Sequence, residues 1–179
     1  MSEAGGSLLE PFPTDWERAL CVVAHPDDLE YGGAAAVARW MAEGRTVTYL
    51  LVTAGEAGID TLVPEEAGPL RRDEQRAAAA LVGVDVVEFL DYPDGTITYG
   101  LPLRRSIARA IRRHRPDLLV GINHRATWGA PGQGGGTLNQ ADHRAVGRAM
   151  IDAARDAGNR WVFDELITEG FQPWSGAKR

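Results

Sequence analysis

The stretch Cys21-Val22-Val23-Ala24-His25-Pro26-Asp27-Asp28-Leu29-Glu30 ends an apolar run in a histidine, a proline and two adjacent carboxylates. A stretch rich in small residues follows at once. The apolar part, Ala19–Ala24, reads as a buried strand, so His25, Asp27 and Asp28 fall on the tight turn at its carboxyl end. Ligands of open α/β sheets bind along that edge. An imidazole and a carboxylate this close supply nitrogen and oxygen ligands for a zinc-like ion. The second carboxylate is then left beside the ion, where it can take a proton from water. Helix capping explains one aspartate at such a turn, but not two together with a histidine.

Working outward, the pattern alternates. A helix is expected over about Glu30–Glu43 and stops at Gly44. Gly32 and Gly33 lie early in it, where a missing side chain permits close approach to a strand. A β-branched strand follows over Thr46–Thr53, then a loop, Ala54–Pro69, and a helix over Leu70–Leu81. Further on come a strand (Val84–Leu90), a helix (Leu103–Arg113), a strand (Leu118–Ile122), a helix (Asn139–Ala157) and a fifth strand (Trp161–Ile167). Such alternation implies right-handed crossovers and a mostly parallel sheet. The expected fold class is α/β: a single Rossmann-like, doubly wound domain over residues 1–179 with helices on both faces and a flexible start over 1–15.

The bulk composition suits a soluble enzyme. The 179 residues suffice for one substantial core, and 44% hydrophobic with 25% charged residues is ordinary for a globular chain. A net charge of −6 argues against nucleic-acid binding. The arginines at 104, 105, 109, 112, 113 and 115 form the main basic cluster, and helical spacing marks them as a solvated face rather than a phosphate patch. The one cysteine, Cys21, sits inside a predicted strand, which excludes a disulfide framework and suits the cytoplasm. Met1–Pro13 lacks the basic and apolar regions of a signal peptide, and no apolar run reaches bilayer length.

A third ligand is available in Thr137-Leu138-Asn139-Gln140-Ala141-Asp142-His143-Arg144. Asn139 suits an N-cap, and Asp142 three residues later makes a capping-box-like pair. His143 then sits in the first helical turn, in line with Val146, Met150 and Ala154, and points inward. Asp142 is also placed to orient a ligand imidazole.

Ala24–Asp28 followed by the distant Asp142-His143-Arg144 resembles the PIG-L/LmbE-like family of zinc-dependent N-acetylglucosamine deacetylases, with matching landmarks from about Ala19 to Phe171. That family includes the de-N-acetylases of glycosylphosphatidylinositol, mycothiol and bacillithiol biosynthesis. The resemblance implies His25, Asp28 and His143 as metal ligands and Asp27 as general base. The implied ion is Zn2+, although two nitrogens and a carboxylate also suit iron(II), cobalt or manganese. The family binds substrate through an arginine at a helix start and an Asp-Gly loop. Arg72 and Asp94 are the matches, with Arg71 close behind Arg72.

Two departures stand out. Leu29 separates the paired aspartates from Glu30, where many members have Glu directly. The family's second motif is often His-Pro-Asp-His, its first histidine stabilising the oxyanion, whereas this chain has Gln140. A glutamine donates a neutral hydrogen bond but supplies neither a proton nor a charge. His124 or Gln140 is therefore expected to be the oxyanion donor, a contribution of about 3–4 kcal/mol in other enzymes, or the metal acts alone. The implied activity is hydrolysis of the N-acetyl group from an N-acetylglucosamine-type conjugate. The alternatives are amide cleavage of a thiol or sugar conjugate on the same metal site, or a catalytically impaired metal- or sugar-binding member.

In the loops, Pro93-Asp94-Gly95 reads as turn chemistry, and Gly129–Gly136 as a mobile flap rather than a dinucleotide fingerprint. The chain stops sooner after its fifth predicted strand than family members do. Phe171 and Trp174 near this end suggest apolar surface, which a missing segment or a homo-oligomer would cover.

Overall fold

The computed structural model describes residues 12–128 and 136–178. Four strands form one sheet: β1 (Arg18–Val23), β2 (Thr46–Leu51), β3 (Val86–Phe89) and β4 (Leu118–Val120). They are all parallel, in the order β3-β2-β1-β4. The helices are α1 (Asp28–Gly32), α2 (Ala34–Ala42), α3 (Pro64–Leu81), α4 (Leu101–His114), α5 (Ala141–Gly158) and α6 (Glu165–Thr168).

Strands β1, β2 and β4 read as near-continuous apolar runs because both sheet faces are covered there; the edge strand β3 is partly exposed. Leu20, Val22 and Ala24 face α4 and α5, packing with Leu103, Ile107, Ile111, Ala149 and Ala153. The alternate residues Ala19, Cys21 and Val23 face the other way, with Tyr49, Val37 from α2, Ala79 from α3 and Trp16. Leu103, Ile107 and Ile111 are fully buried, worth about 1.5–3 kcal/mol each by area removed from water. Burial also pushes the Cys21 thiol up to about 12, which leaves it a packing residue without thiolate chemistry. After β3 the chain crosses back to the far side of β1, so the strand order reverses between β1 and β4. The crevice beyond the carboxyl ends of those two strands is where doubly wound folds bind ligands.

The helix expected over Glu30–Glu43 is two helices, broken at Gly33 with φ −142°. The next one starts six residues earlier than expected because Pro64 opens it at the first turn, and it runs on through Pro69. The fifth strand expected at Trp161–Ile167 is absent. This segment turns at Phe163 (φ 56°) and enters α6. Its carbonyls are not free for a ladder. Arg112, 2% exposed, donates to the carbonyl oxygens of Asp156, Ala157, Asn159, Val162 and Phe163. The segment wraps a guanidinium instead of extending along the sheet.

The other arginines of α4 lie on a partly exposed face, as expected, and are ion-paired there. Arg104 meets Asp156 at 2.8 Å, Arg105 and Arg109 meet Glu169 at 2.6 and 2.8 Å, and Arg113 meets Glu88 at 3.0 Å. Nor does the chain end present the expected apolar surface. Trp174 donates its indole N–H to the Pro116 carbonyl at 2.7 Å and packs on the α4–α5 core. Phe171 lies under the guanidinium of Arg109 at 4.9 Å. No described helix is long and apolar enough to cross a membrane. The glycine-rich segment predicted to be a mobile flap lies, over 129–135, outside the described residues.

Candidate active site

The turn after β1 places three side chains in three environments. Asp27 precedes α1 in the left-handed region (φ 80°) and makes no capping bond with its side chain; aspartate tolerates that conformation better than most residues. Its carboxylate is half exposed, and one oxygen accepts a bond from Arg71 Nη2 at 2.8 Å. Asp28 turns inward instead, its side chain only 7% exposed. Its Oδ2 accepts the backbone N–H groups of Ala24 and His25 at 3.1 and 3.0 Å. Its other oxygen, Oδ1, lies 3.1 Å from His143 Nε2. His143 enters from the first turn of α5, as expected, and its ring centre is 5.2 Å from that of His25.

The hydrogen-bond partners fix the imidazole tautomers. His25 Nε2 faces two carboxylates, Asp94 Oδ1 at 3.1 Å and Asp142 Oδ2 at 3.2 Å. Nε2 therefore carries hydrogen, and in the neutral ring Nδ1 presents its lone pair, 3.8 Å from Asp28 Oδ2. On the other ring, that of His143, both nitrogens face acceptors, Nδ1 towards Asn139 Oδ1 at 3.0 Å and Nε2 towards Asp28 Oδ1 at 3.1 Å; with a cation at Asp28, Nδ1 carries the hydrogen and Nε2 turns its lone pair to the ion. Two nitrogen lone pairs and a carboxylate thus converge, with ligand atoms of the three residues all within 4.8 Å of one another. Neutral imidazoles repel a carboxylate in this arrangement, and a divalent cation between them relieves the repulsion. The donor set fits zinc-type ligation.

These groups line a cavity of about 890 Å³. Asp27, Arg71, Asp94, Asp142 and Gln140 contribute to its polar side; Leu29, Tyr31, Ile122 and Trp128 contribute to its apolar side. Gly55 (φ +67°) lets the loop after β2 close against the turn, since a Cβ there would stand 3.0 Å from Pro26 Cδ.

Several placements differ from expectation. Arg72 lines a separate recess, where it pairs with Asp91 and lies over Phe89 at 4.5 Å; Arg71 lines the main cavity. Asp94 reaches the site, but one oxygen holds His25 and the other accepts the Ala57 N–H at 2.9 Å. It is engaged with protein rather than open to sugar hydroxyls. His124 is not among the cavity-lining residues. It packs on α5, where a Cβ on Gly147 would lie 2.2 Å from its own. Gln140 does line the cavity and is the residue that caps α5 in position, without a side-chain capping bond. The capping box is not formed. Asp142 accepts the N–H groups of Gly95 at 2.8 Å and Ile97 at 3.1 Å, and it orients His25 rather than His143.

Two buried amides have roles that the sequence reading did not assign: Asn139, expected as the N-cap, and Gln75. Asn139 holds His143. Gln75, 3% exposed, accepts the Asp27 N–H at 3.1 Å and donates to Glu30 at 2.8 Å. An unusual asparagine or glutamine among apolar or helical neighbours is the only trace such residues leave in a sequence.

The family model described as GlcNAc-PI de-N-acetylase, PIG-L, matches residues 20–154. A diacetylchitobiose deacetylase of Thermococcus kodakarensis is 31% identical over 88% of this chain and 56% of its own length. A 1D-myo-inositol 2-acetamido-2-deoxy-alpha-D-glucopyranoside deacetylase of Geodermatophilus obscurus is 34% identical over 82% of this chain and 57% of its own. The solved structure of N,N'-diacetylchitobiose deacetylase from Pyrococcus horikoshii, in complex with an inhibitor, superposes with a TM-score of 0.79. It covers 92% of this chain and 59% of that one at 24% identity, a likeness of fold. The chain thus spans between half and three fifths of the length of these relatives. With the family model matched across the sheet, the His25 turn and the start of α5, the chain belongs to the PIG-L family.

Proposed function

We propose that this chain is a metal-dependent hydrolase that removes the N-acetyl group from an N-acetylglucosamine-type conjugate, with zinc as the ion. The observation that carries the reading is the convergence of the His25 and His143 lone pairs on Asp28, beside a cavity into which Asp27 opens. The related deacetylases support it. His25, Asp28 and His143 would hold the ion. The chemistry a divalent ion supplies in such a site is acidification of a water, towards a pKa of about 7, and polarisation of an acyl carbonyl.

The chain's own residues do the rest. Asp27 accepts the proton of the attacking water through its half-exposed carboxylate, and returns it to the amine nitrogen as the C–N bond breaks, so acetate and a free amine leave. Gln140 donates a side-chain N–H to the carbonyl oxygen as that oxygen gains negative charge. Arg71 anchors polar groups of the substrate, and it also holds the Pro26 carbonyl and Asp27 at 3.0 and 2.8 Å.

One observation favours a second reading. Gln140 is neutral where the family often has histidine, which suits a member that binds metal and amino sugar but turns over slowly. Acetate release from a panel of N-acetylglucosamine conjugates, N,N'-diacetylchitobiose and thiol conjugates tests both. The first reading predicts chelator-sensitive release from an N-acetylated amino sugar. Zinc and sugar binding with no release from any member contradicts it and favours the second.

A further inference from the structure

We propose that Asn139 is a positioning residue for His143: it fixes the imidazole in the Nδ1–H tautomer and so presents Nε2 as a ligand. The inference rests on the metal-site reading. Asn139 is 1% exposed and lies one residue before the Gln140 N-cap, outside α5. It is therefore not the helix cap its position suggests; its side-chain oxygen faces His143 and its N–H groups hold the loop after β4. Its Nδ2 donates to the carbonyl oxygens of Asn123 at 2.6 Å and Arg125 at 3.1 Å. Its backbone N–H donates to the Ala126 carbonyl at 2.9 Å.

Two carbonyl acceptors on one side make the amide orientation unambiguous, since a flipped amide would set oxygen against oxygen. Oδ1 must therefore face His143, and His143 Nδ1 must donate to it. The remaining nitrogen, Nε2, lies 3.1 Å from Asp28 Oδ1 with its lone pair free for an ion. The same bonds tie the imidazole to the loop that follows β4. That loop is itself pinned by an antiparallel contact between Thr127 and Leu138 and by the Trp128 N–H on the Thr137 carbonyl at 2.8 Å. Trp128 meets His143 edge-on, 5.9 Å between ring centres. One buried amide thus sets both the tautomer of a ligand and its register with the cavity wall.

Zinc affinity of the full chain, measured by competition with a chromogenic chelator, tests this with Asn139→Leu and Asn139→Asp. Asn139→Leu should weaken zinc binding by about 10–100-fold, the usual cost of losing a ligand's hydrogen-bond partner, with one ion per chain retained. Asn139→Asp keeps the acceptor towards His143 but sets its second oxygen against the Asn123 and Arg125 carbonyls, so it should recover only part of that loss. The 15N spectrum of His143 in the zinc-loaded chain should show a slowly exchanging Nδ1 proton in the native chain and in Asn139→Asp, and fast exchange in Asn139→Leu. If Asn139→Leu does not fold, the spectrum of the native chain decides: an Nδ1 proton of His143 that exchanges fast overturns the inference. A native chain that binds no zinc overturns the metal reading and this inference with it. A native chain that binds zinc while Asn139→Leu binds equally well overturns this inference alone.

Discussion

Asp27 and Asp28 are chemically identical neighbours, and their surroundings divide their work. Asp28 is turned inward, two backbone N–H groups hold one of its oxygens, and two imidazoles point at it. Asp27 sits in the left-handed conformation with a half-exposed carboxylate and an arginine at 2.8 Å. The two amide variants should therefore fail differently. Asp27→Asn should keep the ion and lose turnover by about 10²–10⁴-fold, since an amide takes no proton. Asp28→Asn should lose affinity for the ion itself. Metal titration beside acetate release separates the two, and an Asp27→Asn variant that remained fully active would remove the base assignment. The arginines divide in the same way. Arg71→Ala should raise KM, whereas Arg72→Ala, whose side chain faces Asp91 in the separate recess, should leave KM close to native.

At the scale of elements, α4 acts as a clamp. Arg112 gathers five carbonyls from the end of α5 and the segment leading to α6. Arg112→Met strands these buried acceptors, at about 1–3 kcal/mol for each one left without a partner, and should lower stability by about 3 kcal/mol or more in denaturant unfolding. The C-terminal end of the same helix holds β3 through Glu88. The hydrogen bond from His114 keeps this carboxyl below the usual carboxylate range, against the opposing effect of burial and with help from Arg113. A carboxyl depressed on folding stabilises above its unfolded value, about 4.3, and that stability is lost as pH falls through the folded value. Glu88→Gln should lower the melting temperature at pH 7, and its difference from the native chain should shrink as pH falls below about 4. A difference that stayed constant with pH would contradict the coupling.

These elements also show what was legible beforehand. Strands β1, β2 and β4 were readable because both-face burial writes continuous apolar runs into a sequence. The segment at Trp161–Ile167 misled because it carries apolar residues of which Phe163 packs on the α4–α5 core and Leu166 is buried, and nothing local announces that a distant arginine will take its carbonyls. His25, Asp28 and His143 could be read as a set because chemistry-bearing residues at a strand end stand out. Asn139, Gln75 and the choice between Arg71 and Arg72 could not. Each depends on the direction in which one side chain points, which spacing alone does not determine.

For the whole molecule, the strand order β3-β2-β1-β4 puts the reversal of winding between β1 and β4, and the cavity opens there, lined from the His25 turn on one strand and Gly121–Asn123 on the other. The start of α5 closes the site with His143 and Gln140, so residues far apart in sequence meet because of topology alone. The proposed activity depends on one divalent ion held at that meeting point. The most direct test is elemental analysis of the chain purified without chelator, set beside His143→Ala folded to the same degree. One zinc or other divalent transition-metal ion per native chain, lost in His143→Ala, is the result predicted. Equal metal content in the two proteins would contradict it.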